Sequence, residues 1–117
     1  MAMSRLQAFV ILLVAILAEV VATSALKAAS KPGRWWAWLV VASGYAASFY
    51  LLTKVLQTLP LGVAYAVWSG VGTLLVAVAG IWWYGDRIDR LGWLGIGLII
   101  AGVILLNLAR SGVREGM

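Results

Sequence analysis

The stretch LQAFVILLVAILAEVVATSAL, residues 6–26, decides the fold. It is apolar almost throughout and long enough to cross the hydrocarbon core of a bilayer as a helix, which takes roughly 20 residues. Arg5 precedes it and small residues follow, as in a secretory signal, but it is longer than a typical apolar signal core of about 7–15 residues. Three similar runs follow at residues 35–53, 61–84 and 91–109. The connections are short: residues 27–34 with Pro32-Gly33, residues 54–60, and residues 85–90 with Gly85-Asp86. Pro-Gly and Gly-Asp are turn chemistry, and none of the breaks holds another domain. The runs are continuous rather than alternating in polarity, which argues against a transmembrane β-barrel. The sequence therefore predicts an all-α integral membrane protein. One domain is expected over residues 1–117, with transmembrane helices at about 4–27, 34–54, 60–84 and 91–110.

Composition points the same way. Of 117 residues, 64% are hydrophobic and 11% charged, where a soluble domain carries about a quarter charged. With a mean hydropathy of +1.02, the chain lacks the polar groups to cover a water-soluble globule, which excludes a soluble enzyme and a disordered chain. Cysteine and histidine are both absent, so there is no disulfide, no thiolate metal site, no cysteine nucleophile and no imidazole base. No metal and no cofactor is expected. The net charge is +5, but nine basic residues scattered along an apolar chain do not make a phosphate-tracking face, and no nucleic acid partner is expected. Trp35, Trp36, Trp38, Trp82, Trp83 and Trp93 sit near span ends, as in an aromatic belt at the headgroups. Trp68 lies deeper, roughly 10 Å below the start of the third span at about 1.5 Å per residue.

Charge gives no clear orientation. Four spans put Arg5, Lys54, Arg110 and Arg114 on one side and Lys27, Lys31, Arg34, Arg87 and Arg90 on the other. Lys/Arg excess normally fixes topology, and four against five is almost none. Either one strong loop decides, or the chain inserts both ways.

Asp86 and Asp89 lie beside Arg87 and Arg90, where solvated surface pairs are expected, and Glu115 lies in the polar tail. Only Glu19 sits inside a span. An intramembrane carboxyl is costly and marks a functional site by default. Its helix neighbours are Leu12, Ala15, Ala22, Thr23 and Leu26, a face that leaves space beside the acid. Aromatics recur at helical spacing elsewhere: Tyr45 and Phe49 around Ser48, and Tyr65 with Trp68 and Ser69. Such stripes are commonly core packing, but a carboxylate in the same bundle suits them to a lipophilic cation, each desolvated cation–π contact contributing up to about 2 kcal/mol. Gly70-Val71-Gly72 is a place where the third helix could bend. Gly95 and Gly102 are seven apart and share a face, with Gly97 and Ala101 beside it, and small residues of this kind permit close helix approach in lipid. Four helices leave little room for an organic cation, so a sheltered site is expected to need two copies, and two Glu19 carboxyls in one cavity would titrate together.

These residues resemble a known family. Ala18-Glu19-Val20 with Thr23 and Lys27, then Tyr45-x-x-Ser48-Phe49-x-Leu51-Leu52, then Pro60-x-Gly62-x-Ala64-Tyr65-Ala66-x-Trp68-Ser69-Gly70-x-Gly72 are similar to the small multidrug resistance transporters. Gly85-x-Arg87-x-Asp89 and Gly95-x-x-Leu98-Ile99-x-Ala101-Gly102-Val103 continue the likeness over essentially the whole chain. The resemblance implies a proton-coupled exporter of lipophilic and quaternary ammonium cations in the bacterial inner membrane, acting as an antiparallel, dual-topology homodimer. It implies that Glu19 is the shared proton and substrate site. Leu12, Ala15, Ala22, Thr23, Tyr45, Phe49, Tyr65, Trp68 and Ser69 would line the cavity. Gly70, Val71 and Gly72 would form the bend in the third helix, and Gly95 and Gly102 the dimer contact. Guanidinium exporters of the family typically carry tryptophan near the central glutamate and Trp-Thr-Gly in the third span. Ala22 and Trp68-Ser69-Gly70 stand here, which favours the quaternary-ammonium subgroup. The drug exporters often have glycine where this chain has Ala22, and the added methyl bears on cavity width.

Two other readings stay open: export of guanidinium-type metabolites, and a non-transporting membrane subunit supporting a partner through its glycine-rich helix. Glu19 argues against the second, since a structural subunit has no use for a carboxylate in the bilayer. The absence of histidine, cysteine, a second intramembrane acid or a metal-ligand cluster argues against an enzyme.

Overall fold

The computed structural model describes residues 3–113. They form four helices: α1 (Arg5–Ala29), α2 (Trp35–Val55), α3 (Leu61–Tyr84) and α4 (Arg90–Val113). Each is long and apolar enough to cross a membrane. Arg114 and Glu115 lie outside the described residues.

The helix ends follow local chemistry. Ser4-x-x-Gln7 is a capping box: the Gln7 N–H donates to Ser4 Oγ at 3.1 Å and the Ser4 N–H donates to Gln7 Oε1 at 2.8 Å. At its other end α1 runs past Lys27 to Ala29, and α4 runs past Arg110 to Val113. A charge ends the apolar span but not the helix, because backbone hydrogen bonding continues into the headgroup region. α3 stops at Gly85, whose φ of +68° reverses the chain so that the Asp86 N–H donates to the Gly80 carbonyl at 3.1 Å. Asp89 then caps α4 by accepting from the Gly92 N–H at 2.9 Å.

α1 packs against both α2 and α3, and α3 packs against α4. The order across the molecule is therefore α2, α1, α3, α4, a single row 17 Å thin and 54 Å in its longest dimension. Short connections alternate the helix directions, so α1 and α3 run parallel. One end of their seam is closed by Ala8, Leu12 and Ile16 against Val55, Leu59 and Ala64. Two close approaches hold the row together. A Cβ added at Gly44 would sit 2.7 Å from the Ala22 Cβ, and one at Gly70 would sit 2.9 Å from Val103 Cγ2. α4, at the edge, has none of its span window buried.

Candidate functional site

Glu19 sits half-buried at mid-height of α1, facing α3. Thr23, one turn on, donates its hydroxyl to Glu19 Oε2. The Tyr45 hydroxyl of α2 lies 2.7 Å from Thr23 Oγ1. A hydroxyl has one proton to give. With the Thr23 proton on Glu19, Tyr45 is the donor to Thr23, and the three groups form one directed chain. The other carboxylate oxygen, Oε1, accepts from the Trp68 indole N–H of α3 at 3.3 Å. Both oxygens of Glu19 thus accept from neutral donors, and no Lys or Arg of the described residues pairs with it.

An aromatic ladder flanks the acid. Tyr45 and Phe49 stack at 5.9 Å and 15°, and Phe49 and Trp68 at 6.2 Å and 16°, joining α2 to α3. The buried Ser48 hydroxyl donates to the Tyr45 carbonyl at 2.9 Å. Beside Glu19 lies a cavity of about 420 Å³, lined along α3 by Trp68, Ser69, Gly72, Thr73, Val76 and Ala77. That volume is within the usual range of about 300–1,000 Å³ for small-molecule sites. Gly72 faces the acid directly: a Cβ there would lie in ordinary contact, 3.5 Å from Glu19 Oε1.

Of the residues singled out in the sequence, Glu19, Thr23, Tyr45, Phe49, Trp68 and Ser69 come together here. Others do not. Leu12 is fully buried in the core with Ile16, Val55 and Leu59, and Ala15 is fully buried too. Ala22 is fully buried against Gly44 of α2 and is not among the residues lining the cavity. Its methyl occupies the α1–α2 crossing. Tyr65 is 69% exposed, on the open face of α3. α3 is helical without a break through Gly70-Val71-Gly72, where Gly70 meets α4 and Gly72 faces Glu19. Gly95 and Gly102 have nothing within 4 Å of an added Cβ and face outward. Thr73, Val76 and Ala77 extend the Trp68, Ser69 and Gly72 face by one turn, a spacing that could have pointed to them.

Asp86 departs from the expectation of pairing with Arg87 or Arg90. It reaches across the seam to Lys27, with Nζ 3.1 Å from Oδ1. The turn at Gly85 folds Asp86 back along α3 and so towards the end of α1. Asp89 is likewise engaged as a cap rather than as an ion-pair partner. At the same end, Lys27 and Lys31 lie over the Tyr84 ring at 4.9 and 5.9 Å, and the Tyr84 hydroxyl donates to the Ser24 carbonyl at 2.9 Å. No group of three acidic residues able to hold a metal occurs among the described residues.

Comparison with known proteins fits this geometry. Residues 7–99 match the family described as Small Multidrug Resistance protein. The chain belongs to that family. It is 47% identical over 100 residues to a multidrug transporter of Pseudomonas aeruginosa, covering 86% of this chain and 91% of the relative. It is 42% identical over 103 residues to the quaternary ammonium compound-resistance protein QacE of Escherichia coli, covering 88% and 94%. It is 39% identical over 101 residues to the multidrug resistance protein EbrA of Bacillus licheniformis, covering 86% and 96%. As a small multidrug resistance protein with four spanning helices, it is a multi-pass membrane protein.

Proposed function

We propose that this small multidrug resistance protein is a proton-coupled antiporter that exports lipophilic, quaternary ammonium-type cations across the bacterial inner membrane. The observation that carries the reading is Glu19: a carboxylate at membrane depth, beside a cavity, held by neutral donors only. Its charge is left for a ligand. The stacked Tyr45, Phe49 and Trp68 rings offer π-faces to a cation whose own surface is apolar. The names of the relatives, a multidrug transporter and a quaternary ammonium resistance protein, agree with that ligand chemistry.

Antiport follows from competition. A cation neutralises ionised Glu19, and a proton does the same, so each displaces the other. The hydroxyl chain serves both states. Ionised Glu19 accepts from Thr23. Protonated Glu19 donates to Thr23, whose hydroxyl then turns to Tyr45, while the Trp68 N–H stays on Oε1 in either case. If the protein changes its open side only when loaded, inward proton flow drives outward cation flow.

The working unit in this reading is an antiparallel homodimer. A row of helices 17 Å thin cannot enclose a cation alone, the outward Gly95 and Gly102 face of α4 offers a contact, and the near-equal basic charge on the two sides supports dual insertion. The test is purified protein in liposomes with an inward pH gradient, given a panel of quaternary ammoniums, ethidium and guanidinium. Exchange of protons for ethidium and the quaternary ammoniums is expected. Exchange with guanidinium alone would move the protein to metabolite export, and exchange with none would refute transport.

A further inference from the structure

α1 and α2 cross where neither helix has room for another methyl. A Cβ at Gly44 would lie 2.7 Å from the Ala22 Cβ and 3.0 Å from the Ala18 carbonyl oxygen, where carbon contacts are comfortable at about 3.5–4.0 Å. Glu19 lies between Ala18 and Ala22 on α1, Thr23 follows Ala22, and Tyr45 follows Gly44 on α2. The crossing therefore sets the distance over which Tyr45 meets Thr23, now 2.7 Å. A methyl at Gly44 pushes α2 off α1 at the position next to Tyr45, and a hydroxyl–hydroxyl bond tolerates only a few tenths of an ångström before it weakens.

We infer that the Gly44–Ala22 pair is a spacer that sets how firmly the Tyr45 hydroxyl holds Thr23 on Glu19, which makes Gly44 a positioning residue for the proton- and cation-binding carboxylate. The inference rests on the proposed role of Glu19. It also gives the Ala22 methyl a place: it fills the room that Gly44 leaves rather than narrowing the cavity. The groups facing Glu19 are Thr23 on its own helix, Tyr45 of α2 acting through Thr23, and Trp68 of α3; Tyr45 is the titratable one. Lys27, further along α1, is engaged with Asp86.

The sign of the effect follows from the bond direction. The chain can run either way, but a hydroxyl donating to a carboxylate is charge-assisted and the stronger of the two arrangements. On balance the intact chain therefore favours the ionised form. Loosening the chain lets protons compete better, so cation binding is lost at a higher pH. The experiment measures ethidium binding to the full-length protein in lipid nanodiscs against pH. Gly44→Ala is expected to raise the pH at which half the binding is lost by about half a unit to one unit, the size of a weakened hydrogen bond to a charged group. Loss of folded protein would lower the amplitude without moving that midpoint. The swapped variant Ala22→Gly with Gly44→Ala, which keeps the methyl count at the crossing, is expected to bring the midpoint back towards wild type. In a Tyr45→Phe background, Gly44→Ala is expected to add no further shift, because both act through one hydroxyl. An unmoved midpoint in folded Gly44→Ala, a shift undiminished in the swapped variant, or additive shifts with Tyr45→Phe would each overturn the inference alone. Should Gly44→Ala fail to fold, Tyr45→Phe is read instead: it removes the same hydroxyl and is expected to raise the midpoint, and an unmoved midpoint overturns the inference. Wild-type binding that ignores pH would overturn the proposed function and the inference with it.

Discussion

The α1–α3 seam holds two carboxylates that differ in burial and in what pairs with them. Glu19, at mid-height, accepts from Thr23 and Trp68 and faces a cavity. Asp86, at the headgroup end, is paired with Lys27, and both side chains are about half exposed, at 48% and 50%. Each acid has an aromatic ring and a hydroxyl within its cluster, Trp68 and Thr23 for one, and the ring and hydroxyl of Tyr84 near the other. The difference lies in what neutralises the charge. Asp86 carries its own counter-ion in a place where water also reaches, so it is a fastening between helices. Glu19 has only neutral donors in an apolar surround, so its neutralisation must come from a proton or a cation. Both are carboxylates; burial and partner charge decide which of them the proposed function uses.

The largest expected effect is at Glu19. Glu19→Gln keeps the size and an oxygen acceptor for Trp68 but removes the charge. Breaking a buried charge pair by removing one partner costs about 3–5 kcal/mol; at half-buried Glu19 the lower end applies, so ethidium binding is expected to fall by about a hundredfold. Proton release on ethidium addition should vanish, while the helical fold in mild detergent is retained. Glu19→Asp should keep binding with a displaced pH profile. A Glu19→Gln protein that still exchanged ethidium against a pH gradient would break the comparison, since the charge would then have no special role.

Trp68 sharpens the comparison, because it touches Glu19 through its N–H and Phe49 through its ring. Trp68→Ala loses both and is expected to weaken ethidium by about tenfold, the scale of a desolvated cation–π contact of up to about 2 kcal/mol. Trp68→Phe keeps a ring and loses only the donor, so it should recover much of the affinity. Equal affinity of the alanine variant and wild type, measured by fluorescence titration on folded protein, would reduce Trp68 to packing.

The four spans were legible because bilayer thickness sets a length that the apolar runs must meet. Glu19 was legible because it interrupts such a run, and Thr23 because it lies one turn away. Rotation of the helices about their axes was not. In helices apolar on nearly every face the pattern does not say which side meets a neighbour. Leu12 and Ala15 thus share a helix face with Glu19 yet turn into the core, and Tyr65, at i−3 from Trp68, lands on the open side. The Gly44 contact was hidden for a related reason: a glycine shows that something can approach, never what does. Lys27 and Asp86 lie 59 positions apart, and only the return of α3 alongside α1 joins them.

The smallest effect is expected at that fastening. A half-exposed ion pair contributes about 0–1 kcal/mol and is screened by salt. The turn at Gly85 and the Tyr84 bond to the Ser24 carbonyl hold the same end without it. Asp86→Asn is therefore expected to lower the thermal midpoint in detergent by only a few degrees at low salt, on the order of what about 1 kcal/mol gives in a domain of this size. The gap should close as salt approaches about 1 M, where the screening length falls to about 3 Å. Ethidium affinity and its pH dependence should stay within about twofold of wild type, because Lys27 lies beyond the groups that face Glu19 and an exposed pair of this kind couples weakly. The Lys27 ammonium, freed from Asp86, still has the Tyr84 ring at 4.9 Å, a further reason for a mild effect. If Asp86→Asn instead abolished exchange as Glu19→Gln is expected to, the two carboxylates would belong to one coupled device along α1, and partner charge would no longer separate the fastening from the binding site.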